Sequence, residues 1–212
     1  MVRFIIIRHG YSLGNKEKRF TGQMDVSLDE IGYSQAKSTA DYILKNFKVD
    51  SIYSSDLSRA YETVKPIADV LGKEIHKCKD LREADVGEWQ GKLIEDVKNE
   101  YAENFAFYKE DPGHARFVGG ESYADVMYRS RQALEKIAEE NEGKTVVIGT
   151  HGGVVRALRV AWDDSPLDRI NEISHVPNGS VSVAEYEDGS IKWLSIGYAD
   201  HLENKTTEAG IR

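Results

Sequence analysis

An α/β fold, with a mostly parallel central sheet flanked by helices, is predicted by three features of this 212-residue sequence. Two short, wholly apolar runs, Phe4-Ile5-Ile6-Ile7 and Val146-Val147-Ile148, read as strands covered on both faces. Segments with apolar residues at helical spacing alternate with such runs, the pattern of parallel strands joined by crossover helices. Near the C-terminus, residues 181–186 and 191–196 flank Asp188-Gly189, a hairpin signal.

The elements follow in order. Residues 4–7 form the first strand, and the polar residues 12–26 a loop. Ser27 and Glu30 have the S-x-x-E spacing of a helix start. Leu28, Ile31, Ala36, Ala40, Ile43 and Phe47 continue it at helical spacing. Residues 49–53 read as a second strand. A helix over about 57–71 ends at Gly72, with Pro66 expected to kink it. Residues 92–118 mix Tyr101, Phe105, Phe107 and Tyr108 with many charges and Pro112-Gly113, and read as a helical lid insertion. Ser122 and Asp125 open the next helix, which Gly143 ends. The strand at 146–148 is followed by a helix over 154–161. Residues 199–212 read as a polar, frayed tail. At about 150 residues per domain, a single domain spanning 1–212 is expected.

Composition narrows the partners. Net charge is −8 and the hydrophobic fraction 40%, ordinary for a globular protein. An acidic surface repels nucleic acid and anionic lipid, so neither is an expected partner. No apolar run approaches the length of a membrane span, and residues 4–7 are too few for a signal-peptide core. Cys78 is the single cysteine, which excludes a disulfide framework. The reducing cytoplasm is therefore the expected compartment. Monomer and homodimer both remain open.

Ligands of open α/β sheets bind beyond the carboxyl ends of strands. Arg8-His9-Gly10 and Thr150-His151-Gly152 both follow a buried strand, and Arg59 lies near the start of its helix. Two arginines and two histidines converging on one pocket in an otherwise acidic chain suit a phosphoryl group. By spacing alone, surface arginines and satisfied strand-end histidines fit equally well.

A longer set of motifs adds to this. Arg8-His9-Gly10 with Ser12 and Asn15, Phe20-Thr21-Gly22, Ser54-Ser55-Asp56-Leu57-Ser58-Arg59-Ala60, Leu81-Arg82-Glu83, Gly87-Glu88-Trp89-Gln90-Gly91, Gly119-Gly120-Glu121-Ser122 and Thr150-His151-Gly152-Gly153 occur in that order. Together they resemble the histidine phosphatase superfamily, in the branch of cofactor-dependent phosphoglycerate mutases and their phosphatase relatives, over about residues 3–198. The resemblance implies that His9 is the nucleophile, becoming a phosphohistidine. It implies that Arg8, Arg59 and His151 surround the transferring group, where the work is positioning and electrostatic stabilisation. Ser12, Asn15, Gln23 and Gly152 are expected to bind substrate. Glu83 is the expected general acid, with Asp85 and Glu88 as neighbouring rivals. Tyr11 departs from the Glu or Gln common at its position in the family. Gly, not Asp, follows His151, so the acid must come from another segment.

The expected activity is metal-independent hydrolysis of a small phosphorylated metabolite, with no cofactor. A mutase is the runner-up, since it uses the same histidine. A mutase needs a basic clamp for a second anionic group, yet residues 92–118 carry four basic and six acidic side chains. A non-catalytic phosphate-binding or scaffolding protein is the alternative of another class. Gly10-Tyr11-Ser12-Leu13-Gly14 matches the serine-hydrolase elbow, but lies too early in the chain and lacks an apolar helix after it. The six histidines include no metal-binding pair, and the glycines match neither a dinucleotide fold nor a P-loop. His175 is expected near the pocket without an assigned role.

Overall fold

The structure, a computed structural model, describes residues 1–206. Six strands form one sheet in the order β3-β2-β4-β1-β5-β6. They are β1 (Val2–Arg8), β2 (Ser51–Ser54), β3 (Ile75–Lys77), β4 (Thr145–Thr150), β5 (Val181–Glu187) and β6 (Ser190–Tyr198). Strands β1 to β4 run parallel, and β5 joins the edge of β1 in antiparallel register, Ile5 opposite Val183. Phe4 to Ile7 are completely buried because helices cover both faces. Ile5 and Ile7 pack with Ala40, Ile43, Val64 and Ile67 of α2 (Glu30–Asn46) and α3 (Ser58–Leu71). Phe4 and Ile6 face the opposite layer, with α6 (Tyr123–Glu140) and α7 (Gly152–Leu158). Successive residues along β1 therefore alternate between two cores.

Several local expectations change. The 12–26 loop contains a short helix, α1 (Leu13–Lys16), capped by Ser12. The N-cap of α2 is Asp29 rather than Ser27, its carboxylate accepting from Gly32 N. Asp29 stands one residue before the first helical turn, where its oxygen reaches a free N–H. Pro66 sits inside an unbroken α3. The edge strand β3 and the short helix α8 (Pro166–Ile170) escaped detection. Both are too brief for periodicity to register. Helix α7 begins at Gly152 and ends at Leu158, earlier than expected. At the hairpin tip Asp188 (φ 49°) and Gly189 (φ 77°) are both left-handed, as a two-residue type I′ turn requires.

Residues 92–118 supply α4 (Ile94–Glu100) and α5 (Ala102–Glu110). Their aromatic rings surround Trp89, which is 1% exposed. Phe20, Tyr101, Phe105, Tyr108 and Phe117 all lie with ring centroids 5.1–6.3 Å from it. The segment is thus bolted to the main core through one indole. The expected tail is not uniformly frayed: Ala199 and Leu202 are buried, and the ring of His201 stacks on Tyr42. Residues 207–212 of that tail lie outside the described residues. Among the described residues no helix is long and apolar enough to cross a membrane.

Removing the indole leaves a void that five rings cannot close together. Trp89→Ala is expected to destabilise the fold by about 3–5 kcal/mol, read as a lower midpoint of urea unfolding.

Candidate active site

The central parallel strands β2, β4 and β1 end side by side. Each passes directly into a polar residue: Ser55 after β2, His151 after β4, and Arg8-His9 at the end of β1. The backbone ties them together, with His9 N donating to Thr150 O at 2.9 Å and Ser55 N to Gly149 O at 2.8 Å. All four side chains are buried; Arg8 is 1% and His9 4% exposed.

The His9 ring is held by Nδ1, which donates to the carbonyl of its neighbour Gly10 at 2.7 Å. A carbonyl only accepts, so Nδ1 carries the hydrogen. Burial, then the Arg59 and Arg8 guanidiniums, hold His9 well below the usual imidazole range. The ring is therefore neutral, with its lone pair on Nε2. His151 is displaced the same way, by burial first and then by Arg59, His9, Arg129 and Arg8. The two rings have centroids 5.2 Å apart, and His151 Nε2 is bonded to Ser55 Oγ at 2.8 Å.

Arg59 stands in the first turn of α3 and donates to Gly22 O at 2.7 Å and Met24 O at 2.8 Å. Asp25, from the same loop, accepts from Ser58 N and Oγ. These contacts clamp loop 20–25 to the helix that carries Arg59. Arg8 donates to Val176 O. A Cβ on Gly152 would sit 3.0 Å from both Arg8 Cζ and His175 Nδ1. His175 therefore does lie beside the arginine, on the wall of the site.

Glu83 reaches the same turn from another segment. Its Oε2 accepts from Gly153 N at 3.1 Å and its Oε1 from Ala84 N at 2.9 Å. A Cβ at position 153 would lie 2.3 Å from Oε1, so any larger residue there would displace the Glu83 carboxyl group. The rivals are occupied elsewhere. Asp85 accepts from Gly87 N, and Glu88 from the Tyr101 hydroxyl. Beside Glu83 opens a cleft of about 150 Å³, bounded by Asn15, Phe20, Tyr108, Phe117 and Tyr123 among others.

The four residues expected to bind substrate divide. Gly152 adjoins Arg8, and Asn15 lines the cleft. Gln23 donates to the Glu83 carbonyl at 3.2 Å, so it braces the acid-bearing segment. Ser12 is completely buried and its hydroxyl is spent on capping α1 against Asn15. That also removes it as an exposed serine nucleophile. His76, His114 and His201 lie apart, against Tyr53, Asp111 and Thr39 respectively.

Sequence reading missed two supports. Asn178 is completely buried and donates to the His9 carbonyl at 3.1 Å. Arg129, on α6, spends all five donors on the acid-bearing segment and its anchor. It bonds the carbonyls of Asp80, Arg82 and Glu83, and both oxygens of Glu121. Glu121 in turn accepts from Asp85 N. No local signal marks an arginine eight residues into a helix pattern as a partner of a loop some 46 residues earlier.

Comparison with known proteins gives the following. The family model described as histidine phosphatase superfamily (branch 1) matches residues 4–198. Phosphoserine phosphatase 1 of Hydrogenobacter thermophilus is 34% identical over 99% of this chain and 98% of its own length. A metal-independent phosphoserine phosphatase of Arabidopsis thaliana is 32% identical over 96% of this chain and 84% of its own. The solved structure of Bacillus stearothermophilus YhfR superposes with a TM-score of 0.90 at 29% identity, covering 96% of this chain and 100% of that one.

Two predictions follow from the geometry. In an NMR titration of the free protein, His9 and His151 stay neutral at pH 6.5 and below. His114, raised by the Asp111 carboxylate, still carries its proton above pH 6.5. Arg129→Met is expected to lower kcat by about tenfold or more with KM little changed, since an ångström-scale shift of Glu83 degrades the reacting geometry.

Proposed function

The chain belongs to the histidine phosphatase superfamily, branch 1, and is a phosphoric monoester hydrolase like its phosphatase relatives; from that premise we propose the course of the reaction and the residues that carry it. His9 Nε2 attacks phosphorus in line as the leaving oxygen departs. A P–N bond forms, the P–O bond breaks, and Glu83 delivers a proton to that oxygen. Water then attacks the phosphohistidine, Glu83 takes its proton, and the P–N bond breaks to release inorganic phosphate and neutral imidazole.

The observation that supports this best is the state of His9. A nucleophile must offer a lone pair. The bond from Nδ1 to Gly10 O and the two guanidiniums keep that pair on Nε2. The same guanidiniums meet the equatorial oxygens of the transferring group. A fixed cation costs no reorganisation when charge develops, and arginine retains its charge throughout. We assign Ser55 Oγ as the donor to His151 Nε2; the buried Nδ1 of His151, which has no partner among the described residues, then carries the ring hydrogen. It is the imidazole donor offered to the phosphoryl group beside the two guanidiniums. Glu83 lies where the cleft meets this pocket, and the leaving group extends past it into the cleft.

Rapid quench with a 32P-labelled monoester is expected to trap an acid-labile, base-stable label on the wild-type protein and none on His9→Ala. A fully active His9→Ala protein would falsify the scheme. Glu83→Gln is expected to slow hydrolysis of an alkyl phosphate by about 10²–10⁴-fold. The loss should be smaller in the first step for p-nitrophenyl phosphate, whose phenolate leaves without a proton. Equal losses for both esters would remove Glu83 as the acid.

A further inference from the structure

We propose that Lys18 selects substrates by pairing with an ionised acid group on the leaving group, a carboxylate, sulfonate or second phosphate. The inference rests on the phosphomonoesterase reading above and adds the class of leaving group.

The backbone supplies the first reason. Helix α1 ends at Lys16, and its last turn is closed by Lys18 N donating to Asn15 O and Arg19 N to Gly14 O. The residue at this point takes the left-handed conformation, and Lys18 has φ 55°. Glycine or asparagine is favoured there, since a β-carbon crowds the following carbonyl. Among the described non-glycine residues Asp188 alone shares the conformation, and its short polar side chain suits a hairpin tip. Lysine has no such local compensation. Residues held in this region of conformational space concentrate at functional sites.

The side chain supplies the second reason. Lys18 lines the cleft that begins at Glu83. Its neighbours are committed: Lys16 to Asp29, Arg19 to Glu17. The Lys18 ammonium makes no ion pair or hydrogen bond among the described residues. Its carbonyl accepts from Ile94 N at 2.9 Å, which anchors the backbone against α4 and fixes the base from which the side chain swings. Glu83 is the carboxylate in the cleft wall, and its two oxygens face backbone N–H groups. A leaving group reaching past Glu83 with an acid of its own therefore meets an uncommitted cation.

The test compares 4-carboxyphenyl phosphate with phenyl phosphate, using wild type, Lys18→Gly and Lys18→Arg. The ratio of kcat/KM for the two esters is taken within each protein, so intrinsic reactivity cancels between proteins. Lys18→Gly is expected to lower the ratio about fivefold, the upper range for an exposed ion pair. Lys18→Arg should restore it, and high salt should erode the wild-type ratio towards the glycine value. The thermal midpoint of Lys18→Gly should be unchanged or raised, because glycine relieves the left-handed backbone. An unchanged ratio in Lys18→Gly, with both esters still hydrolysed, overturns the proposal and leaves the phosphatase reading intact. A lower midpoint with an unchanged ratio also overturns it, assigning the side chain to the fold. Failure of wild type to hydrolyse either ester removes the phosphatase reading, and this proposal with it.

Discussion

A neutral imidazole buried beside two guanidiniums is the arrangement on which everything else depends. Bringing cations and histidines together out of water is unfavourable unless the rings shed their protons. His9 and His151 do so, and the loss of charge is what leaves a lone pair available at His9. The cost of holding Arg8 and Arg59 without water is met by backbone carbonyls of Val176, Gly22 and Met24. The pocket thus gathers two guanidiniums and two neutral imidazoles, in a protein whose net charge is −8.

The sheet exists, from the site's standpoint, to make three strand ends coincide. Parallel pairing of β2, β4 and β1 places Ser54, Gly149 and Ile7 in register, so the next residues of each strand emerge together. Completely buried strand interiors fix that register, since a slip of one residue would turn Phe4 and Ile6 into the wrong core. Glu83 arrives by a different route. Its segment has little regular structure of its own and is held by Arg129, Glu121 and Gln23. His9 and Glu83 are therefore supported by separate scaffolds, one a sheet and the other a side-chain network, that meet at Gly153.

The aromatic segment around Trp89 joins those scaffolds to the cleft. Phe20, Tyr108 and Phe117 serve the indole cluster and also bound the cleft. Packing and ligand accommodation are the same surfaces here, so changes in the segment are felt at both. Residues 92–118 carry a mixture of four basic and six acidic side chains, which makes no dense cationic clamp.

The sequence by itself marked the central strands β1 and β4, because short, wholly apolar runs bounded by polar residues suit a sheet covered on both faces. It determined the hairpin, because Asp-Gly between alternating apolar residues specifies a two-residue turn. It placed Arg8, His9, Arg59 and His151 at strand or helix ends, where sheet proteins bind ligands. Tertiary structure decided what those residues touch. It set Glu83 rather than Asp85 or Glu88 against Gly153, withdrew Ser12 into a helix cap, and recruited Asn178 and Arg129 from distant segments. It also decided the short elements β3 and α8 and the true cap of α2. Periodicity and propensity are properties of neighbours along the chain, whereas a hydrogen bond between residues 83 and 153 is decided only when the whole chain has closed around it.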